Sequence, residues 1–151
     1  MRELILLRHA HAESATAGQD DIARPLSATG LAEARAAGDW LREHGLRPDR
    51  VLCSTATRTR DTLAALGDIG GAEVHEDASI YDASPGTLVA LADANRDAER
   101  LLLVGHHPGL EHVSDQFLLG EDILVAPVQT KGATERRVVI PPGQWRAIEQ
   151  Y

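Results

Sequence analysis

Short, mainly apolar runs alternate along this chain with stretches whose apolar residues recur at helical spacing. The runs at 4–7, 51–53, 74–75, 101–104, 137–140 and 145–148 predict strands. Between the first two, residues 31–44 place Leu31, Ala34, Gly38 and Leu41 on one face, and Gly45 follows as a stop signal. Residues 57–66, 85–95 and 110–119 repeat the helical pattern. Strands that are apolar on both faces and separated by helices predict parallel pairing under two helical layers. The fold class expected is α/β: a single-domain three-layer α/β/α sandwich with a mostly parallel central sheet. The last two runs, split by Pro141-Pro142-Gly143, predict an antiparallel hairpin at the sheet edge. Residues 121–133 read as a loop, and no repeat or linker interrupts the chain, so residues 1–151 are expected to form one domain.

Composition narrows the classes of function. Cys53 is the lone cysteine among 151 residues, which excludes a disulfide framework and a thiolate zinc site and suits a reducing compartment. Cys53 itself reads as a small buried filler. The 15 Lys+Arg against 23 Asp+Glu give a formal charge of -8, which argues against nucleic acid or an anionic membrane as a partner. The apolar run ahead of Arg8 is too short for a signal-peptide core, and no stretch approaches the roughly 20 apolar residues of a membrane span. A cytoplasmic location is expected. Basic residues gathered at one place in so acidic a chain need a local reason.

Such residues stand at the strand ends. In parallel α/β sheets the reactive groups collect beyond the carboxyl ends of the strands. The first run delivers Arg8 and His9, the second leads through Ser54 to Arg58 and Arg60, and the fourth leads through Gly105 to His106 and His107. Arg58 falls at a helix start, where free N–H groups and the dipole already favour an anion. Taken singly, each has a plainer reading: Arg8 and His9 as a basic strand end, Arg58 and Arg60 beside Asp61 as a solvated helix face, His106 and His107 as loop histidines. Their joint placement suits an imidazole nucleophile attacking a phosphate held by guanidinium groups.

Four ordered motifs carry a resemblance. Leu6-Leu7-Arg8-His9-Ala10, Arg24-Pro25-Leu26-Ser27-Ala28-Thr29-Gly30, Ser54-x-x-x-Arg58-x-x-x-Thr62 and Val104-Gly105-His106-His107-Pro108 together resemble the histidine phosphatase superfamily, whose fold is phosphoglycerate mutase-like. The chain is most similar to the small SixA-like branch of phosphohistidine phosphatases, over about residues 3–119. The resemblance implies that His9 accepts the phosphoryl group and water then releases inorganic phosphate. The other nitrogen of His9 would donate to a backbone carbonyl, fixing the tautomer, and the cationic neighbours would depress its pKa. Arg8 and Arg58 would hold the phosphate oxygens, and His106 would add a donor. No metal and no cofactor is required.

The general acid is less clearly marked. Asp82, after the third strand, is the candidate, with Glu13 a fainter one. The chain leaves little room for a lid carrying such a group, so the site is expected to be open and shallow. A phosphoramidate can be protonated before cleavage and needs less help than an alkoxide, and the lack of a clear acid therefore favours phosphohistidine over a sugar phosphate. The partner expected is a phosphorylated protein, with a small-molecule phosphomonoesterase as the alternative. Ser27 or Thr29 is available to cap the first helix, while Arg24 and His11 are second-tier rim positions. Two departures from the family pattern are Ser54-Thr55-Ala56-Thr57 where Ser-Pro is common, and Lys131, within Gln129-Thr130-Lys131-Gly132, where the family carries small residues. From another class, His9, His11, His106 and His107 could form a metal-binding module, although the adjacent arginines would repel a cation.

Overall fold

The computed structural model describes residues 3–116 and 123–125. Strands β1 (Glu3–Arg8), β2 (Arg50–Cys53), β3 (Glu73–Glu76), β4 (Arg100–Gly105) and β5 (Ile123–Val125) form one sheet in the order β3-β2-β4-β1-β5. Every described pairing in it is parallel. Helices α1 (Ala28–Glu43), α2 (Thr57–Ala65), α3 (Pro85–Ala94) and α4 (Gly109–Gln116) connect the strands, with single 3₁₀ turns at Asp21–Ala23 and Ala78–Ile80. None of the helices is long and apolar enough to cross a membrane among the described residues.

The strand alternation divides the core in two. Ile5, Leu7, Val51, Cys53, Leu102 and Val104 face Leu41, Leu46 and Leu66, whereas Leu6, Leu52, Leu101 and Leu103 face Ile80, Leu88 and Leu110. Both faces of β1, β2 and β4 are thus dry, which is why these strands read as continuous apolar runs. Helices α1 and α2 pack together over the first face, α3 and α4 over the second. The result is the expected sandwich. Strand β3, at the edge, is exposed along its whole length.

Local chemistry sets the helix ends. Ser27 caps α1 by accepting from the Gly30 N–H at 3.1 Å, and Ser84 caps α3 by accepting from Thr87 at 3.2 Å, with Pro85 at the first position. Helix α2 has no side-chain cap. One difference from the sequence reading is β5, a strand inside the segment 121–133 read as loop; its three residues pair with Leu4, Ile5 and Leu6 of β1. A run so short, following Glu121-Asp122, gives no alternation to detect. The hairpin expected from 137–140 and 145–148 lies outside the described residues.

Candidate active site

The central strands β1 and β4 end side by side, with Arg8 opposite Gly105. From there α1 leaves toward one face of the sheet and α4 toward the other, which opens a crevice at the carboxyl ends. His9 follows β1 and donates its backbone N–H to the Gly105 carbonyl at 3.1 Å. His106 follows β4 and is buried. Ser54, fully buried after β2, donates its N–H to the Val104 carbonyl at 3.0 Å, and the chain then enters α2, whose first turn carries the buried Arg58. Arg8, His9, Arg58 and His106 are therefore brought together from three segments.

The tautomer of His9 is fixed by a neighbour. Its Nδ1 lies 2.8 Å from the Ala10 carbonyl, which can only accept, so the ring proton sits on Nδ1 and the lone pair on Nε2. Arg58 donates from Nε to that Nε2 at 3.3 Å. Burial is the main cause that pushes the His9 pKa down to about 4; Arg58, Arg8 and Arg24 lower it further, while the Ala10 bond opposes them. At neutral pH the imidazole is an uncharged base.

His106 lies 5.2 Å from His9 between ring centroids, and Tyr81 meets it edge-on at 5.3 Å. Its Nε2 is 2.7 Å from the Ser54 hydroxyl, which also accepts the Ala56 N–H at 3.4 Å. Among the described residues the Ser54 proton has no other acceptor, so the hydroxyl donates to Nε2 and the neutral ring keeps its proton on Nδ1. The opposite tautomer would strand both the hydroxyl proton and the Nδ1 lone pair in a buried place. Burial first, then the charge of Arg58, pushes the His106 pKa down to about 4.

Two nitrogens in this cluster, Nδ1 of His106 and Nε of the half-buried Arg8, are buried without a hydrogen-bond partner. Buried polar atoms of that kind are uncommon and mark places where a ligand or water completes the network. Burial also lowers the Arg8 pKa. Arg58, by contrast, is engaged at its end: Nη1 donates to the Asp21 carbonyl at 2.7 Å and Nη2 to Asp21 Oδ2 at 2.9 Å.

Each remaining candidate has a different setting. Arg24 pairs with Asp21 at 2.8 Å and donates from Nε to the Glu13 carbonyl. Asp82 is exposed in a left-handed conformation (φ 54°) and makes no hydrogen bond or ion pair with a described residue; its neighbour Tyr81 reaches the cluster instead. Glu13 is exposed. His11 turns to Ser27 at 2.7 Å and His107 to Glu111 at 3.3 Å. Among the described residues no group of three or more His, Cys, Asp and Glu side chains is placed to hold a metal ion. The four-histidine metal module considered from the sequence therefore does not assemble. Lys131 lies outside the described residues.

Sequence reasoning passed over Asp21, Tyr81 and Ser54 as members of the site. Ser54 opens the Ser54-x-x-x-Arg58 motif, and Tyr81 adjoins the chosen Asp82, so each was one step from recognition. For Asp21 the signal was its spacing of three residues from Arg24.

A family model described as Histidine phosphatase superfamily (branch 1) matches residues 4–116. An uncharacterized protein of Mycobacterium tuberculosis is 45% identical over 150 residues, covering 92% of this chain and 90% of that one. A solved SixA from Agrobacterium tumefaciens, named as a candidate phosphohistidine phosphatase, superposes with a TM-score of 0.71 at 34% identity over 78% of each chain. The protein histidine phosphatase SixA complexed with tungstate superposes at 0.65 and 27% identity, again over 78% of each chain. A second model, the glycosyl hydrolase family 31 C-terminal domain, matches residues 100–151, about a third of the chain and largely outside the described residues. The first match runs from β1 through α4 and so takes in every described segment that meets at the crevice; this chain belongs to branch 1 of the histidine phosphatase superfamily and is a phosphatase.

Proposed function

We propose that the protein removes the phosphoryl group from a phosphorylated histidine of another protein, by way of a phosphohistidine on its own His9. In the first step the Nε2 lone pair of His9 attacks phosphorus. A P–N bond to His9 forms as the P–N bond to the substrate imidazole breaks, and that imidazole leaves with a proton taken from solvent. In the second step water attacks phosphorus, the bond to Nε2 breaks, and inorganic phosphate departs. Arg58 donates from Nε to the idle Nε2 and passes that hydrogen bond to a phosphate oxygen when substrate arrives. Arg8 and the Nδ1–H of His106 supply further donors to the oxygens.

The observation that carries this reading is the His9–Ala10 hydrogen bond, which leaves Nε2 unprotonated beside a guanidinium donor. The likeness to SixA proteins supports a phosphohistidine substrate, and the tungstate complex of one of them supports a site for a tetrahedral oxyanion. Neither step calls on a metal or cofactor. Asp82, exposed beside Tyr81, is assigned as proton source only for an alkoxide leaving group, since a phosphoramidate nitrogen is protonated without help. A cytoplasmic location belongs to the same reading.

Turnover tests it directly. The protein is offered a histidine-phosphorylated protein, a phosphoserine peptide and a hexose phosphate, before and after exhaustive EDTA dialysis. The proposal expects kcat/KM on phosphohistidine to exceed the others by at least about 100-fold, unchanged by EDTA. Preference for the hexose phosphate would move the assignment to a small-molecule phosphomonoesterase, and loss of activity with the chelator would overturn metal-free chemistry.

A further inference from the structure

We infer that Asp21 is a positioning residue for the phosphoryl site, holding the Arg58 guanidinium by its end so that the edge carrying Nε faces His9. The inference rests on the reading of His9 as the nucleophile.

A guanidinium offers five N–H donors in one plane, and the acceptors it meets decide which edge is left for a ligand. Here a single residue supplies both acceptors at the end of the fork: the Asp21 carbonyl takes Nη1 at 2.7 Å and its Oδ2 takes Nη2 at 2.9 Å. Asp21 is itself held on both carboxylate oxygens. Tyr81 donates its hydroxyl to Oδ2 at 2.7 Å, and Arg24 donates from Nη1 to Oδ1 at 2.8 Å. The carbon of the Arg58 guanidinium also lies 5.6 Å from the centre of the Tyr81 ring, so the plane is restrained on a face as well as at its end. What remains is the side edge, whose Nε is 3.3 Å from His9 Nε2.

The consequence concerns how Arg58 meets a phosphate. With its end occupied, it cannot clamp the anion through both terminal nitrogens; it meets an oxygen with the edge already directed at the nucleophile. Asp21 does this from outside the reacting atoms. Its carboxylate is half-exposed, whereas the Arg58 side chain it orients is buried. Misplacing such a donor by about 1 Å is enough to cost on the order of 100-fold in rate.

The experiment compares wild type, Asp21→Ala, Asp21→Asn, Arg58→Ala and the Asp21→Ala/Arg58→Ala pair as full chains. Tungstate affinity is read by calorimetry, p-nitrophenyl phosphate hydrolysis by absorbance, and the His9 Nε2 signal by ¹⁵N NMR. Asp21→Ala is expected to weaken tungstate binding and kcat/KM roughly 10- to 100-fold. It should also move the His9 Nε2 signal toward that of an imidazole without a donor. In the Arg58→Ala background the same change should cost less than about twofold, because the effect passes through Arg58. Additive losses, an unmoved His9 signal, or tighter tungstate binding on removal of the carboxylate would each overturn the inference. Asp21→Asn keeps the shape of the side chain and serves the same comparison if the alanine variant does not fold. The nitrogen signal needs no turnover: a wild type that neither binds tungstate nor hydrolyses ester would count against the phosphatase mechanism, while the His9 signal in Asp21→Ala would still decide the role of Asp21.

Discussion

Two imidazoles at this site are set in opposite ways by single neighbours. Ala10 accepts from Nδ1 of His9 and frees its Nε2; Ser54 donates to Nε2 of His106 and keeps its proton on Nδ1. One ring is made a base and the other a donor, and both are held neutral by a pKa pushed down to about 4, chiefly by burial. An NMR titration is expected to find the His9 midpoint near 4 and to see it rise in Arg58→Ala, because the Arg58 charge contributes to the depression. A wild-type midpoint near the ordinary 6.5 would contradict the burial argument. The nitrogen shifts of His106 should report the Nδ1–H tautomer in wild type and a mixture in Ser54→Ala; an Nε2–H tautomer in wild type would refute the proton count. The residues at strand ends were legible in the sequence because an apolar run announces where its polar terminus must lie. Ser54, Asp21 and Tyr81 were not, because their parts depend on side chains that meet across 52, 37 and 60 residues.

At the scale of elements, α1 shows how backbone contact constrains the fold. A Cβ at Gly38 would fall 2.0 Å from the Leu66 carbonyl oxygen at the end of α2, and one at Gly30 would fall 2.0 Å from the His11 carbonyl oxygen, two residues past His9. Neither acceptor is a flexible side chain. Gly38→Ala is therefore expected to destabilise the protein by about 1–3 kcal/mol in urea unfolding, the clash outweighing alanine's better helix propensity. A neutral or stabilising result would show that α1 and α2 separate without cost. The helices expected at 31–44, 57–66 and 85–95 match α1, α2 and α3 to within a few residues, since apolar spacing marks their span and Ser27 and Gly45 bound the first. The 3₁₀ turn Asp21–Ala23 and strand β5 escaped notice because one turn, or three paired residues, is too short to show a period.

Over the whole molecule, strand order rather than strand content makes the site. Placing β4 between β1 and β2 brings residues 9, 58 and 106 to one crevice, and that order was not written in any local pattern. It also concentrates arginines within a chain of net charge -8, giving an anion a local reason to bind where the average surface repels it. The same burial has a global consequence. Unfolded histidines bind protons below about pH 6.5, whereas folded His9 and His106 do so only near 4. Between those values the unfolded chain holds more protons, so stability falls as pH falls. Tm is expected to drop steadily from pH 7 to pH 4, with a shallower slope in His106→Gln; a flat profile would argue that these rings are not neutral in the folded state.

The most direct measurement is the location of the phosphoryl group during turnover. The protein is mixed briefly with a histidine-phosphorylated substrate, quenched in alkali and mapped by peptide mass spectrometry. The mechanism predicts an alkali-stable, acid-labile phosphoryl group on His9 that is absent from His9→Ala. A phosphoryl group found on any other residue, or a His9→Ala variant that turns over at the wild-type rate, would contradict it.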